Sequence, residues 1–406
     1  MTDFEEPDAY WAWHDANGFS RIINVSGTMT GLGGSIVRES PRSATVAAMG
    51  RFVRMHELQA KASGVIARLT GAEAGCVTAS ASAGITLCVA ACMTGSDPAR
   101  VEALPLDPGP KSEVAVQLGH LCGYGAPVST SIELAGARVR QVGQSTLSMD
   151  HQFAGALSDR TAAALYVVSH HVVHYGQIPL ARFVDIAHAR GVPVIVDAAS
   201  EYDLTGFIAA DADLAIYSGQ KFLGGPTTGL IAGRRDLVRA AYLQNIGIGR
   251  GLKVGKESIA GVIAALEAWT IRDHAAIRQA ETAALDLWSD ALAGLPGIRA
   301  EKVPDPTGNP LERLQVNVEP AEAHASAAGF AAALGKRDPA IIVRDHEVEL
   351  GYFQLDPCNL APGQAAVVAE ALSSTLSRGA DIAVSEGGLS AARNSGVDGY
   401  LSWLRQ

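Results

Sequence analysis

Between residues 111 and 218, short runs of apolar and β-branched residues alternate with helix-forming stretches, and that alternation leaves few folds open. Val114-Ala115-Val116-Gln117-Leu118, Ala137-Arg138-Val139-Arg140-Gln141-Val142, Ala164-Leu165-Tyr166-Val167-Val168, Val194-Ile195-Val196-Asp197 and Leu214-Ala215-Ile216-Tyr217 each read as a strand. The segment from Ile178 to Arg190 is amphipathic at helical spacing and stops on Gly191. Mainly apolar strands joined by helices predict a mostly parallel sheet, covered on both faces. In such sheets ligands bind beyond the carboxyl ends of the strands.

Two charged residues sit at such ends. Asp197 closes one strand, and Lys221 follows a later one within Ser218-Gly219-Gln220-Lys221-Phe222-Leu223-Gly224-Gly225. Taken singly, a lysine in a glycine-rich turn is usually solvated and an aspartate after a strand usually caps a helix. Taken together and in this order, they meet the needs of pyridoxal phosphate (PLP). A desolvated lysine loses its proton and forms a Schiff base, and a buried carboxylate keeps the pyridine nitrogen protonated so that the ring acts as an electron sink.

The rest of the chain fits a small-molecule enzyme. The 406 residues, 48% hydrophobic and 18% charged, suffice for a large domain with a smaller one. A net charge of −10 and the lack of basic runs argue against a nucleic-acid surface. Apolar runs are shorter than the roughly 20 residues a membrane span needs. The acidic start, Met1-Thr2-Asp3-Phe4-Glu5-Glu6, lacks a signal-peptide pattern, so a cytoplasmic location is expected. Five cysteines without paired spacing predict no disulfide framework, and Cys88 and Cys92 read as buried small hydrophobes.

Several segments bear on ligand binding. Residues 20–34 read as a short strand entering a glycine-rich loop, without a dinucleotide fingerprint. An amphipathic helix is expected from Val46 to Leu69. In Cys76-Val77-Thr78-Ala79-Ser80-Ala81-Ser82-Ala83-Gly84 a strand turns through hydroxyl residues into a helix, a geometry suited to a phosphate. Ser169-His170-His171-Val172-Val173-His174 leaves a strand, and no carboxylate or thiolate completes a metal site there, so a loop facing the ligand is expected and no metal.

These segments carry a resemblance. Ile23-Asn24-Val25-Ser26-Gly27-Thr28, Arg68-Leu69-Thr70-Gly71-Ala72-Glu73, Ala81-Ser82-Ala83-Gly84, Gly119-His120, Val194-Ile195-Val196-Asp197-Ala198-Ala199, Ser218-Gly219-Gln220-Lys221 and Lys253-Val254-Gly255-Lys256-Glu257 make the chain similar to fold-type I PLP enzymes. Within them it most resembles the group around selenocysteine synthase and D-glucosaminate-6-phosphate ammonia-lyase. The resemblance implies an α/β fold with a seven-stranded, mostly parallel sheet, a smaller C-terminal α/β domain and a homodimer or higher homo-oligomer. It implies that Lys221 binds PLP and moves the Cα proton, and that Asp197 pairs with the pyridine nitrogen. It further implies that Ser80, Ser82, Ala83, Gly84 and Ser218 cradle the phosphate and that His120 lies against the ring, with Tyr124 as its rival. His170, His171 and Ala199 are expected at the cofactor, and Arg344, Thr28, Arg250 and Lys256 at the substrate, with Arg344 as the fork for an amino-acid carboxylate.

The expected organisation is an N-terminal segment (1–45) lining the site, a PLP-binding domain (46–255), a long connecting helix (256–292) and a small domain with a tail (293–406). The expected activity is a PLP-dependent lyase acting through a Cα carbanion. Racemisation, aldol cleavage and transamination share that carbanion and stay open, as do a transferase of the selenocysteine synthase type and a protein that keeps the fold without catalysis.

Overall fold

The structure is a computed structural model and describes residues 7–382, 397–401 and 403–404. Of the tail that begins at Ser377, residues 383–396 lie outside the described residues. The chain forms two compact units, Gly33–Arg272 and a second made of Met1–Leu32 with Asp273–Gln406. The first 32 residues thus group with the C-terminal part of the chain, where the sequence suggested a separate segment of 45 residues.

The larger unit is built on a seven-stranded sheet. Across it the strands run in the order Ala74–Thr78, Gly229–Gly233, Leu214–Ser218, Val194–Asp197, Thr161–Val167, Glu113–Gln117 and Arg138–Val142. Gly229–Gly233 is antiparallel to both its neighbours, and the other adjacent pairs are parallel. Alternate residues face different cores, as the two-residue side-chain period of a strand requires. Ala115, Ala164, Val194, Val196 and Ala215 pack with Ile66, Phe183, Ile259 and Val262 on one side. Val114, Val116, Leu165, Ile195 and Ile216 pack with Ile85, Val89, Ile132 and Val238 on the other. This is the doubly covered parallel sheet that the strand pattern predicts.

Two predicted helices are each broken in two. The stretch from 46 to 69 is covered by Glu39–Met49 and Met55–Thr70, separated at Gly50–Arg54. The stretch from 256 to 292 is Lys256–Ile271 and His274–Leu292. There the Asp273 carboxylate accepts from the Ala276 N–H at 2.9 Å and starts the second helix afresh, so a cap overrides continuous helical spacing.

The smaller unit holds a parallel pair, Ile22–Val25 with Ala340–Val343, and an antiparallel sheet ordered Tyr352–Leu355, Glu312–Val318, Ile298–Pro304. Bridges from Ser26 to Asp356 and from Arg344 to Gln354 join the two. Its core gathers on Trp288, Phe330 and Phe353, all fully buried. No helix among the described residues is long and apolar enough to cross a membrane.

Candidate active site

Strand direction decides where the chemistry lies. Because Gly229–Gly233 runs antiparallel, its first residue pairs with the last residues of both neighbours, Thr78 and Ser218. The turns after Thr78, Gln117, Val167, Asp197 and Ser218 therefore all leave one edge of the sheet. That edge collects Ser80, His120, His170, His171, Asp197, Ala199, Ser218 and Lys221, which the sequence reading had nominated separately.

Lys221 is held by its backbone. The Ser35 hydroxyl donates to the carbonyls of Gln220 and Lys221 at 2.7 and 2.9 Å. Arg272 donates to the carbonyls of Phe222 and Leu223 at 2.7 and 2.8 Å, and Gly225 N–H closes the turn on Gly219 at 2.8 Å. Glycine is required at 219, because a Cβ there would lie 2.1 Å from Thr228 Oγ1. Burial pushes the Lys221 amine below its ordinary value, opposed by the negative charges of Asp197 and Glu201. Burial likewise raises the Asp197 carboxyl, opposed by Lys221, the Ala199 N–H and the Tyr124 hydroxyl. Both groups are thus driven toward their neutral forms, and the lysine toward the nucleophilic one.

Asp197 is 4% exposed and has two donors, Ala199 N–H to Oδ1 and Tyr124 O–H to Oδ2, each at 3.3 Å. The Ser218 N–H donates to the Ala199 carbonyl at 3.1 Å, which ties the acid's turn to the lysine's.

The serine-rich turn behaves differently from the expectation in one respect. Ser80 caps the helix Ala81–Thr94, its hydroxyl accepting from Ala83 N–H at 3.0 Å, while Gly84 N–H donates to the Ser80 carbonyl at 2.9 Å. The amides of Ala83 and Gly84 are therefore spent within the helix. The two amides ahead of them, Ala81 and Ser82, have no helical carbonyl four residues back and are the ones left for an anion. The Ser82 hydroxyl is exposed and shares a 2.7 Å hydrogen bond with Ser131 Oγ. Gly229 lets this turn approach the sheet, since a Cβ there would sit 2.2 Å from the Ser80 carbonyl oxygen.

His120 is 2% exposed, and its ring meets Tyr166 edge-on with centroids 4.5 Å apart. Burial pushes its imidazole down to about 4. Val167 N–H donates to Nδ1 at 3.2 Å, so the neutral ring carries its proton on Nε2. His170 and His171 occupy a turn rather than a helix, with ring centroids 4.0 Å apart, and His174 is exposed. The i, i+4 spacing from His170 to His174 thus has no helical face on which to act.

The nominated substrate residues scatter. Arg250 is exposed, and Lys256 Nζ donates to the Met49 carbonyl at 3.1 Å. Arg344 and Thr28 belong to the smaller unit. Arg344 is 4% exposed, with Nη2 3.4 Å from Glu347 Oε1. The residues that sequence reasoning missed are Glu201, 9% exposed and acting on Lys221 through its charge, and the tethers Ser35 and Arg272. A carboxylate one helical turn's spacing after Asp197 was the available signal for Glu201. The tethers act on backbone carbonyls and leave no motif.

The residues present fit PLP. A half-buried lysine whose amine is pushed below its ordinary value and a buried carboxylate lie on one sheet edge with a helix N-terminus offering two amides, and glycines 219 and 229 stand where any Cβ would collide.

Comparisons with known proteins agree with this architecture. Residues 22–334 match the family described as SelA: L-seryl-tRNA selenium transferase. The chain is 38% identical over 364 residues to D-glucosaminate-6-phosphate ammonia lyase of Salmonella typhimurium, covering 90% of this chain and 98% of that protein. It is also 38% identical over 360 residues to 5'-C-glycyluridine monooxygenase-decarboxylase of a Streptomyces species, covering 86% and 88%. A solved structure of D-glucosaminate-6-phosphate ammonia-lyase superposes with a TM-score of 0.82 at 37% identity, over 91% of this chain and 99% of that one. Aspartate aminotransferase from Thermus thermophilus shares the fold alone, with a TM-score of 0.54 at 16% identity over 93% and 95% of the two chains. With a fold of the PLP fold-type I class and a family match that spans most of its length, the chain belongs to the SelA family.

Proposed function

We propose that this protein is a PLP-dependent lyase that acts on an amino acid through a Cα carbanion, expels a β-substituent and releases ammonia. The observation that carries the reading is the pairing of half-buried Lys221 with buried Asp197 on the edge that also holds the Ser80 turn. The relative called an ammonia lyase, aligned over nearly its whole length, supports the choice of reaction.

Bound at this edge, PLP supplies an electron sink for negative charge at the substrate's Cα. Lys221 Nζ, its basicity lowered by desolvation, takes the Cα proton and returns it to the departing group. Asp197 keeps a proton on the ring nitrogen, and Tyr124 and the Ala199 amide hold its carboxylate in place. The amides of Ala81 and Ser82 and the hydroxyls of Ser80, Ser82 and Ser218 bind the phosphate, with the Ala83–Gly84 turn supplying the helix N-terminus. His120 presents an uncharged ring, and His170 and His171 line the cofactor. Arg344 takes the substrate carboxylate, with Thr28, Arg250 and Lys256 as further substrate contacts. A cytoplasmic homodimer belongs to the same proposal. Five unpaired thiols support a reducing compartment, and the exposed apolar residues Val46, Met49, Phe52 and Val53 support a partner surface. A net charge of −10 supports a small substrate over a tRNA.

A second reading has a specific observation behind it, because a relative named for an oxidative decarboxylation is equally identical. Incubation of the PLP-reconstituted protein with D- and L-amino acids, β-hydroxy and phosphorylated ones included, separates the two. Elimination yields ammonia and a 2-oxo acid without oxygen uptake, whereas oxygen consumption with carbon dioxide release would replace the lyase reading. Solvent deuterium entering Cα with no ammonia would point to a racemase. Lys221→Ala is expected to remove the visible absorbance of the lysine-bound cofactor while leaving the fold intact. A wild-type protein that stays colourless with PLP would overturn the cofactor assignment.

A further inference from the structure

Within the larger unit, the turn that carries Lys221 is fastened to the turn that follows Asp197. The Ala198 N–H donates to the Ile216 carbonyl at 2.9 Å, and the Ser218 N–H donates to the Ala199 carbonyl at 3.1 Å. Further along, the Tyr202 ring packs against Phe222 and Trp269, with centroids 4.6 and 4.9 Å away. Arg272 closes this stack. Its guanidinium lies 4.6 Å from the centre of the Trp269 ring and also donates to the Phe222 and Leu223 carbonyls. Residue 201 is therefore bracketed, because Ala199 before it is bonded to Ser218 and Tyr202 after it is stacked on the residue next to Lys221.

Glu201 occupies that position and is 9% exposed. Three carboxylates stand between 197 and 203, and two have other work. Asp203 accepts from the Thr205 and Gly206 amides, both at 2.8 Å, and so holds its own turn. Asp197 is paired with the ring nitrogen in the function proposed above, and its charge is answered there. Glu201 then supplies the negative field at Lys221, against which burial acts in the opposite sense. From other elements, Tyr124 and Cys122 face Asp197, while Tyr217 faces Asp203 and Glu201. The cations packed on the lysine's turn are Arg272 and Arg38, whose side chain lies against Gly224. Desolvation frees the lone pair of an amine but weakens it as a base, and a fixed carboxylate nearby restores that strength.

Resting on the assignment of Lys221 as the cofactor's lysine, we propose that Glu201 is a positioning residue whose charge, clamped beside the lysine's turn by Tyr202, stabilises the proton that Lys221 Nζ carries. Glu201 acts through Lys221 and transfers no proton itself. Its removal leaves the fold and the cofactor's seat in place and changes the pH at which that nitrogen gives its proton up.

The test is a pH titration of the PLP-loaded enzyme without substrate, read from the visible band that the lysine-bound cofactor shows while its nitrogen is protonated. Glu201→Gln is expected to move the midpoint of that band down by about one pH unit, the effect of losing one nearby opposite charge. Glu201→Asp, which keeps the charge, is expected to recover most of the shift. A midpoint unmoved or raised in Glu201→Gln overturns the role. Equal shifts in the Gln and Asp variants overturn it as well, since shape and not charge would then be the cause. Should Glu201→Gln fail to fold, Glu201→Met, neutral and of similar length, takes its place with the same expectation. A wild type that shows no visible band with PLP overturns the cofactor assignment, a result distinct from any difference among the variants.

Discussion

At the scale of residues, burial is the cause behind the properties of the site, and its sign is testable. The Asp197 carboxyl titrates above its ordinary value because it is buried. A raised acid costs the folded state more as pH rises from the ordinary aspartate range through the raised value. Asp197→Asn should therefore stabilise the cofactor-free protein at neutral pH by about 1 kcal/mol, with the gain vanishing in acid, while turnover falls by roughly two orders of magnitude. Thermal unfolding across pH and steady-state rates check both halves. His120 has the opposite sign. Its value is pushed from 6.5 down to about 4, so its contribution is intact above 6.5 and is lost as pH falls toward 4. Relative to His120→Gln, the wild type should lose up to about 3 kcal/mol over that interval, read from denaturant unfolding at a series of pH values.

At the scale of elements, most strands were legible because each is a short apolar run between polar turns. Val194–Asp197 and Leu214–Ser218 fall almost where the β-branched residues end. Asp197 and Lys221 were legible for a related reason, since an ionisable side chain at the end of a buried strand has few bland explanations. Helix boundaries were less so. Helical spacing continues through Gly50–Arg54 and through Arg272–Asp273, yet the chain breaks at both, at the second through a side-chain cap. The phosphate donors shifted for the same reason. Once Ser80 is the cap, Ala83 and Gly84 are already bonded, and only three-dimensional accounting shows it. Gly229 is a further case, silent in sequence and decisive in space. Gly229→Ala would drive a Cβ against the Ser80 carbonyl and Thr78 Oγ1. The expected result is a loss of about 2–3 kcal/mol together with weaker PLP binding, measured by thermal unfolding and by titration with the cofactor.

At the scale of the whole molecule, the two units have separate cores and should answer differently to the cofactor. PLP in hundredfold excess over its dissociation constant should add about 2.7 kcal/mol to the stability of the native state. Stripping it with hydroxylamine should lower protection against hydrogen exchange at 79–84, 118–124, 197–201 and 218–225. The strands Ile298–Pro304 and Glu312–Val318 should keep theirs.

The antiparallel strand Gly229–Gly233 has a consequence for how such a protein diversifies. It turns the connection that carries Lys221 into a hairpin closed at both ends by the sheet, in contrast to an open crossover with a free rim. Insertions there would disturb the Ser35 and Arg272 tethers and the Gly225–Gly219 closure, so the nucleophile's address is locked to the scaffold. The turns at 121–127 and 169–177 lie on the same edge, in crossovers between parallel strands. Change of substrate can accumulate in those turns while the lysine stays where it is, which lets one scaffold serve relatives named for different reactions.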